Sequence, residues 1–149
     1  MREIVGNLWN YYGRENFVVL ITTSGSLRKN GKAIMGRGCA KEATLKIPGV
    51  EKLVGAAIQN FGNVLLLTDR NWGTFPTKHE WWEDSDPELI RYSAIELSKM
   101  TKHKDFANKT FVLPRPGCGQ GHLQWADVKP ILEECGLGDG VWVVNRDVF

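Results

Sequence analysis

The sequence predicts an α/β domain in which a mostly parallel central sheet lies between helices on both faces. Hydrophobic runs alternate with helical patterns along the chain, as in proteins whose parallel strands are joined by crossover helices. The hydrophobic runs are rich in Val, Ile, Leu and Phe without strict alternation, which is typical of strands buried on both sides. A length of 149 residues fits a single domain that spans residues 1–149.

Six hydrophobic segments are predicted to be the strands of this sheet. In chain order they are Glu3–Val5, Phe17–Thr22, Asn63–Leu67, Trp72–Phe75, Thr110–Leu113 and Val141–Val144.

Two short helices are expected between the second and third strands, at Gly38–Lys46 and Val50–Asn60. Pro48-Gly49 separates them, because proline and glycine together end helical hydrogen bonding. A last helix is predicted at about Ala126–Glu134, and Gly136 provides its end.

The strongest helical pattern is Pro87–Met100. Asp86 can cap its first turn and Pro87 suits the first helical position, where no amide hydrogen bond is lost. Its apolar residues recur at helical spacing on one face, at Leu89, Ile90, Ala94, Leu97 and Met100.

The composition excludes several classes of protein. Apolar residues make up 42%, charged residues 24%, and the net charge is +2, so neither disorder nor a polyanion-binding surface is expected. Apolar runs such as Val64–Leu67 are far too short to span a membrane, and Met1-Arg2-Glu3 does not begin a signal peptide, which predicts a cytoplasmic protein. The three cysteines lack paired spacing, so reduced thiols, no metal site and no cofactor are expected.

Two segments contain more glycine than turns require, namely residues 31–38 (the first glycine loop) and residues 116–122 (the second glycine loop). Each follows a predicted strand and precedes a predicted helix, where backbone amides and a helix N-terminus can approach a phosphate. Either loop alone is equally compatible with a flexible connection, but two such loops on neighbouring strands could hold a diphosphate from both sides. Neither loop matches the P-loop or the dinucleotide-binding pattern.

Several motifs resemble those of macrodomains, a family that binds ADP-ribose. Met35-Gly36-Arg37-Gly38-Cys39-Ala40 is similar to the first ligand loop of that family, and Pro114-Arg115-Pro116-Gly117-Cys118-Gly119 with Leu123-Gln124-Trp125 is similar to the second. Gly6-Asn7-Leu8 resembles their N-terminal element, and Phe75-Pro76-Thr77-Lys78 resembles the segment with the catalytic lysine in one branch. That branch contains the human terminal ADP-ribose glycohydrolase and the bacterial antitoxin macrodomains that remove ADP-ribose from thymidine in DNA.

The resemblance implies a three-layer α/β/α fold with a mixed, mostly parallel sheet and ADP-ribose in a cleft at the strand ends. Asn7 would accept a hydrogen bond from the adenine amine, although a lone Asn after a strand is more often a turn residue. Ser24 and the two loops would line the phosphates and the distal ribose. The implied ADP-ribose-binding residues are Asn7, Leu8, Ser24, Met35, Gly36, Arg37, Gly38, Cys39, Pro116, Gly117, Cys118, Gly119, Gln120 and Gly121.

The resemblance assigns Lys78 to the anomeric carbon of the distal ribose. An amine of lowered pKa can capture the opened sugar as a Schiff base, whereas a lone lysine after a strand is normally only solvated. The human-type enzymes carry an acidic residue where this chain has Gly121, while the antitoxin-like members resemble this chain in having glycine. We therefore do not expect a carboxylate relay from the second glycine loop.

Three further residues have two interpretations each, and two cysteines have one. His122 could act as an acid, base or phosphate donor, or it could be a surface histidine. Trp81 and Trp82 could stack on substrate beyond the ribose or anchor a loop to the core. Cys39 has no recognisable acid or base partner in the sequence, and neither does Cys118, so we assign both to packing.

Three functions are compatible with these motifs. The leading prediction is an ADP-ribosyl glycohydrolase that releases ADP-ribose through Lys78 from ADP-ribosylated DNA or protein, acting as a monomer away from membranes. The alternatives are an ADP-ribose 1″-phosphate phosphatase, for which His122 would matter more than Lys78, and a non-catalytic reader that only binds ADP-ribose. A pure reader would not require the Phe-Pro-Thr-Lys segment.

Overall fold

The computed structural model describes residues 1–146. This part of the chain forms six strands and four α-helices, with short 3-10 helices at Leu8–Tyr11 and Lys104–Phe106. The strands are β1 (Arg2–Gly6), β2 (Phe17–Ser24), β3 (Leu66–Leu67), β4 (Trp72–Lys78), β5 (Thr110–Pro114) and β6 (Val141–Arg146). The helices are α1 (Gly38–Lys46), α2 (Val50–Phe61), α3 (Pro87–Thr101) and α4 (Trp125–Glu134).

The six strands form one sheet in the order β1-β6-β5-β2-β4-β3. Four pairs are parallel, and β3 runs antiparallel to β4 at the edge. The prediction of a mixed, mostly parallel sheet is therefore confirmed. The third strand is shorter than the predicted Asn63–Leu67, because the chain turns at residues 62–64 through a hydrogen bond from the Val64 amide to the Gly62 carbonyl.

Helices cover both faces of the sheet and make three layers. Side chains alternate along β2, so Val18 and Leu20 pack with α3 and α4, whereas Ile21 packs with α1 and α2. The 3-10 helix after β1 covers the rest of that second face through Leu8. The central strands are thus buried on both sides, as their hydrophobic runs predict.

The strand order determines which loops meet. β5 and β4 both lie beside β2 and run parallel to it, so all three strands end at the same edge of the sheet. The first glycine loop follows β2, the second follows β5, and Lys78 ends β4 opposite Ser24. The two glycine loops and the candidate catalytic lysine therefore converge, as the prediction of neighbouring strands requires.

The first glycine loop is seated against helix α2 by a close backbone approach. A Cβ atom at Gly55 of α2 would overlap the backbone oxygen of Gly31, so this contact requires glycine in the helix. The Ala33 amide also donates to the Glu51 carbonyl at the start of α2, with an N···O distance of 2.9 Å. These contacts fix the start of the loop before it reaches the edge of the sheet.

Among residues 1–146, no helix combines the length and the apolar composition needed to cross a membrane.

Candidate functional site

A cavity of about 450 Å³ lies at the carboxyl ends of β2, β4 and β5, between the two glycine loops. This volume is in the range of small-molecule sites, which are usually preformed clefts. Its wall consists of Thr22, Thr23, Ser24, Arg28, Ile34, Met35, Gly36, Arg37, Gly38, Cys39, Ala40, Thr77, Lys78, Trp81, Ser85, Pro114, Arg115, Gly117, Gly119, Gln120 and Gly121.

The charges in this wall are all positive. Four cationic side chains line the cavity, whereas no carboxylate among residues 1–146 does so. The four are Arg28, Arg37, Lys78 and Arg115. Although the whole chain carries a net charge of only +2, the cavity therefore attracts an anionic ligand.

The second glycine loop presents free backbone amides. Its own hydrogen bonds use the amides of Cys118 and His122, which donate to the carbonyls of Arg115 and Gly119 at 3.2 Å in both cases. The three amides between them have no acceptor among the described residues. All three belong to residues in the cavity wall, namely Gly119, Gln120 and Gly121. Such a run of amides binds phosphate or carboxylate oxygens.

Helix α1 adds a second group of amides. It begins at Gly38, and its N-cap residue Arg37 makes no side-chain hydrogen bond to the helix within the described chain. The first amides of an α-helix have no intrahelical partner and lie at the positive end of its dipole. Those of Gly38, Cys39 and Ala40 belong to residues of the cavity wall. The start of α1 and the second glycine loop thus contribute the amides of six residues that line the cavity.

Lys78 joins the end of β4 to the second glycine loop. Its Nζ donates to the Gln120 carbonyl at 3.0 Å and to the Trp81 carbonyl at 3.4 Å. Partial burial and the nearby Arg37 charge lower the Lys78 pKa from its ordinary value, although Asp84 opposes this change. The lysine is therefore fixed in the cavity wall, with a larger neutral fraction than a solvated lysine has.

The segment between β4 and α3 forms the outer rim of the cavity. The Ser26 hydroxyl donates to Glu80 Oε2 at 2.6 Å and accepts the Trp81 amide at 2.8 Å, which fixes the segment to the β2 side. Trp81 is 41% exposed and Trp82 is 67% exposed, so neither tryptophan anchors the segment in the core. The guanidinium of Arg37 lies over the Trp81 ring, 5.6 Å from its centroid, so Arg37 and Trp81 meet across the mouth.

Most of the predicted site residues lie in the cavity wall. From β2, the first glycine loop and the start of α1 they are Ser24, Met35, Gly36, Arg37, Gly38 and Cys39. From β4 and the second glycine loop they are Lys78, Gly117, Gly119, Gln120 and Gly121.

Five of the predicted site residues do not line the cavity, and the structure gives most of them other contacts. Leu8 is buried, and the Asn7 side chain accepts the Trp9 amide at 2.9 Å as an N-cap, which is the turn interpretation of this residue. Pro116 and Cys118 contact each other, because the Cys118 thiol donates to the Pro116 carbonyl at 3.5 Å. Cys118 also packs against the core. The remaining residue of this group is His122.

His122 is an exposed residue that pairs with a neighbouring acid. Its Nδ1 lies 2.7 Å from Asp84 Oδ1, and about two thirds of its side chain is accessible, at 65%. Its backbone has φ +65°, the left-handed region that non-glycine residues rarely adopt. Of the two interpretations of His122, the structure agrees with a surface histidine.

The two cysteines near the cavity are poor nucleophiles. Burial raises the pKa of the Cys39 thiol to about 12 and that of the Cys118 thiol to about 11. The thiolate is the reactive form, so both remain protonated at neutral pH. This geometry supports their assignment to packing.

Gly121 is a glycine because Ser85 occupies the space of its side chain. A Cβ atom at this position would overlap Ser85 Oγ and would lie 2.6 Å from the Gly117 carbonyl oxygen. No carboxylate can therefore extend from residue 121 without moving this packing. The motifs predict the glycine but not Ser85, because no sequence pattern next to the α3 cap indicates a site there.

Several other residues of the wall are not among the predicted site residues. Arg115 lies within one of the motifs above, and its charge at the end of a strand is the signal that indicates it. Arg28 precedes the first glycine loop without any such pattern. The others are uncharged side chains in the strand ends and loops: Thr22, Thr23, Ile34, Ala40, Thr77 and Pro114.

Solved macrodomain structures match this chain in fold, with the same α/β architecture over nearly its whole length. The macrodomain of Thermus aquaticus DarG superposes with a TM-score of 0.71 at 24% identity, covering 98% of this chain and 97% of that chain. The macrodomain of Mycobacterium tuberculosis DarG gives 0.74 at 21% identity, covering 99% and 98%. The chain therefore has the macrodomain fold.

A third match includes a ligand. The structure of Thermosipho africanus DarTG in complex with ADP-ribose superposes with a TM-score of 0.65 at 23% identity, covering 90% of this chain and 39% of that chain. No family model matches the sequence. A comparison with curated proteins also finds no match.

Proposed function

We propose that this chain binds ADP-ribose in the cavity between its glycine loops and releases it from a modified macromolecule as an ADP-ribosyl glycohydrolase. The observation that carries the proposal is the cavity wall itself, with six amides and four cationic side chains but no carboxylate among residues 1–146. A dianionic diphosphate suits this wall. The amide dipoles and cationic side chains are already in position, so they can stabilise the negative charge of the ligand without rearrangement of the protein.

The likeness to a ligand-bound structure supports the choice of ligand. Thermosipho africanus DarTG, whose fold matches most of this chain, was solved with ADP-ribose. In this chain we place the diphosphate between the start of α1 and the second glycine loop, whose residues both line the cavity. The distal ribose then lies at the end of the cavity where Lys78 contacts Gln120.

Lys78 is the group that we propose as the nucleophile. The bond between the anomeric carbon and the macromolecule breaks, and the leaving group takes up a proton. The neutral amine of Lys78 adds to the anomeric carbon and gives up one proton to the leaving group. The bond between that carbon and the ring oxygen then breaks, the ring oxygen takes the second amine proton, and the opened sugar is held as a Schiff base. Water then adds to its carbon and the amine leaves, so the net reaction consumes one water and yields ADP-ribose and the unmodified macromolecule.

The lowered pKa of Lys78 supports this role. A nucleophilic amine must be neutral, and burial together with Arg37 increases its neutral fraction at neutral pH. The phosphatase alternative depends on His122, which pairs with Asp84 outside the cavity wall. The geometry therefore favours glycoside cleavage over phosphate cleavage.

A panel of substrates tests this function. We expect the wild-type protein to release ADP-ribose from ADP-ribosylated DNA or from ADP-ribosylated protein, and the panel identifies which. Turnover of ADP-ribose 1″-phosphate alone would identify a phosphatase. Binding without turnover of any substrate would identify a reader.

Arg37→Ala is expected to shift the pH dependence of release. Removing this positive charge raises the Lys78 pKa, and because the amine reacts when neutral, the rise of kcat with pH moves to higher pH. The shift is partial, since burial is the larger cause of the lowered pKa. The measurement is a pH profile of kcat at saturating substrate.

Arg28→Ala is the matched control, because Arg28 also lines the cavity but does not shift the Lys78 pKa. The pH at which kcat rises should be the same for Arg28→Ala as for the wild-type protein. Equal profiles for wild type and Arg37→Ala would contradict the proposed coupling between Arg37 and Lys78.

A further inference from the structure

Ser85 is a buried residue in the cavity wall that none of the motifs includes. It lies just before helix α3, is only 5% exposed, and belongs to the residues that line the cavity. Its amide donates to the Gly121 carbonyl at 3.0 Å, which joins it to the second glycine loop.

The Ser85 hydroxyl has no hydrogen-bond partner among residues 1–146. A buried polar atom without a partner is destabilising, and native proteins retain few of them. The other such atom in the described chain, Trp9 Nε1, belongs to a residue outside the cavity wall. Ser85 thus combines an unused hydroxyl with a position in the candidate ligand site.

The second glycine loop is shaped around this serine. Added Cβ atoms would lie 3.1 Å from Ser85 Cβ at Gly117 and would overlap Ser85 Oγ at Gly121. The hydroxyl therefore stands where a side chain of residue 121 would begin. A polar group from another segment takes that place in the wall.

Ser85 and Lys78 approach the same part of this loop. The Lys78 Nζ donates to the carbonyl of Gln120, and the Ser85 amide donates to the carbonyl of the next residue, Gly121. Consecutive carbonyls lie a few ångströms apart along the chain. The two residues therefore contact adjacent positions of the second glycine loop, and both line the cavity.

We propose that Ser85 is a ligand-binding residue whose hydroxyl forms a hydrogen bond with the ribose that reacts at Lys78, an inference that rests on the proposed function. A serine hydroxyl can donate one hydrogen bond and accept two, which suits a sugar hydroxyl. Rotation about the Cα–Cβ bond moves the oxygen among staggered positions while the backbone bond to Gly121 stays in place. The ligand supplies the partner that the protein lacks.

Ser85→Ala with two ligands tests this assignment. ADP-ribose contains the distal ribose and ADP does not, so only ADP-ribose can use the hydroxyl. We expect calorimetry to show ADP-ribose binding weakened about fivefold to tenfold, as for one hydrogen bond between neutral groups, with ADP binding unchanged. The melting temperature should stay the same or rise, because an unpartnered buried hydroxyl is removed.

Ser93→Ala is the matched control. Ser93 is also buried on the same side of the molecule, but its hydroxyl donates to the Pro76 carbonyl at 2.8 Å, and it does not line the cavity. This variant should lower the melting temperature and leave both affinities unchanged. The two variants thus differ in the property that is lost: Ser85→Ala loses ADP-ribose affinity, and Ser93→Ala loses thermal stability.

Three results would overturn the role of Ser85. One is wild-type affinity of Ser85→Ala for ADP-ribose, and another is an equal loss for ADP-ribose and ADP. The third is a melting temperature lowered as far as in Ser93→Ala, or loss of folding, since either shows that the hydroxyl has a structural role. Failure of the wild-type protein to bind ADP-ribose would instead overturn the proposed function.

Discussion

Lys78→Ala is expected to lower the rate of ADP-ribose release by about a thousandfold or more while the protein remains folded. The amine forms the covalent intermediate, so its removal eliminates stabilisation that exists only along the reaction path. ADP-ribose affinity should change little, because the six amides of α1 and the second glycine loop remain. Single-turnover kinetics on the modified substrate and calorimetry with ADP-ribose measure the two effects.

Lys78→Ala is also expected to lower the stability of the fold slightly. Lys78 donates hydrogen bonds to the carbonyls of Gln120 and Trp81, so truncation should reduce the free energy of unfolding by about 1 kcal/mol. Lys78→Arg is the matched control, since it keeps a positive charge and hydrogen-bond donors but cannot form a Schiff base. It should also be inactive, and substantial turnover by either variant would contradict the lysine mechanism.

Gly119→Glu is expected to abolish ADP-ribose binding without unfolding the protein. A Cβ atom at Gly119 meets no atom within 4 Å, so the fold accommodates a side chain there. The carboxylate would lie beside amides that we assign to the diphosphate. Two like charges about 4 Å apart near a protein surface repel by about 4 kcal/mol, which corresponds to a loss of about a thousandfold in affinity.

Gly119→Gln separates charge from bulk, because glutamine has nearly the same shape as glutamate without its charge. It should bind ADP-ribose more tightly than Gly119→Glu does, and the difference should shrink as salt concentration rises. Circular dichroism checks the fold of both variants. Unchanged affinity in a folded Gly119→Glu protein would show that the second glycine loop is not the phosphate site.

Local sequence signals predict the elements of this fold well. Asp86 caps α3 by accepting the Glu88 amide, and Pro87 occupies the first turn, as the pattern indicates. The six hydrophobic runs all become strands, and the runs in the middle of the sheet, β2, β4 and β5, are largely buried. Only the turn at residues 62–64 shortens a strand, since a local hydrogen bond competes with sheet pairing.

The candidate site depends more on contacts between distant residues. The strand order brings β2 between β4 and β5, so Lys78 reaches Gln120, which lies 42 positions later in the chain. The packing of Ser85 on Gly121 likewise joins two segments that no local pattern connects. A glycine pattern can predict that a backbone approaches something closely, but not which side chain fills the space.

The same limit applies to residues that bind their neighbours rather than the cavity. Asn7 satisfies the Trp9 amide two positions away, a cap that a sequence can indicate. The pair of His122 and Asp84 links residues 38 positions apart and holds the imidazole at the surface. Resemblance to a family can suggest a role for a position, whereas the three-dimensional neighbours decide whether the side chain reaches the site.

Calorimetric titration of the wild-type protein with ADP-ribose tests the central claim most directly, with AMP as the comparison ligand. A preformed cavity with several backbone donors predicts a Kd in the micromolar range, about −8 kcal/mol, for ADP-ribose and much weaker binding of AMP. Binding of AMP without binding of ADP-ribose, or of neither ligand, would contradict the assignment of this cavity to ADP-ribose.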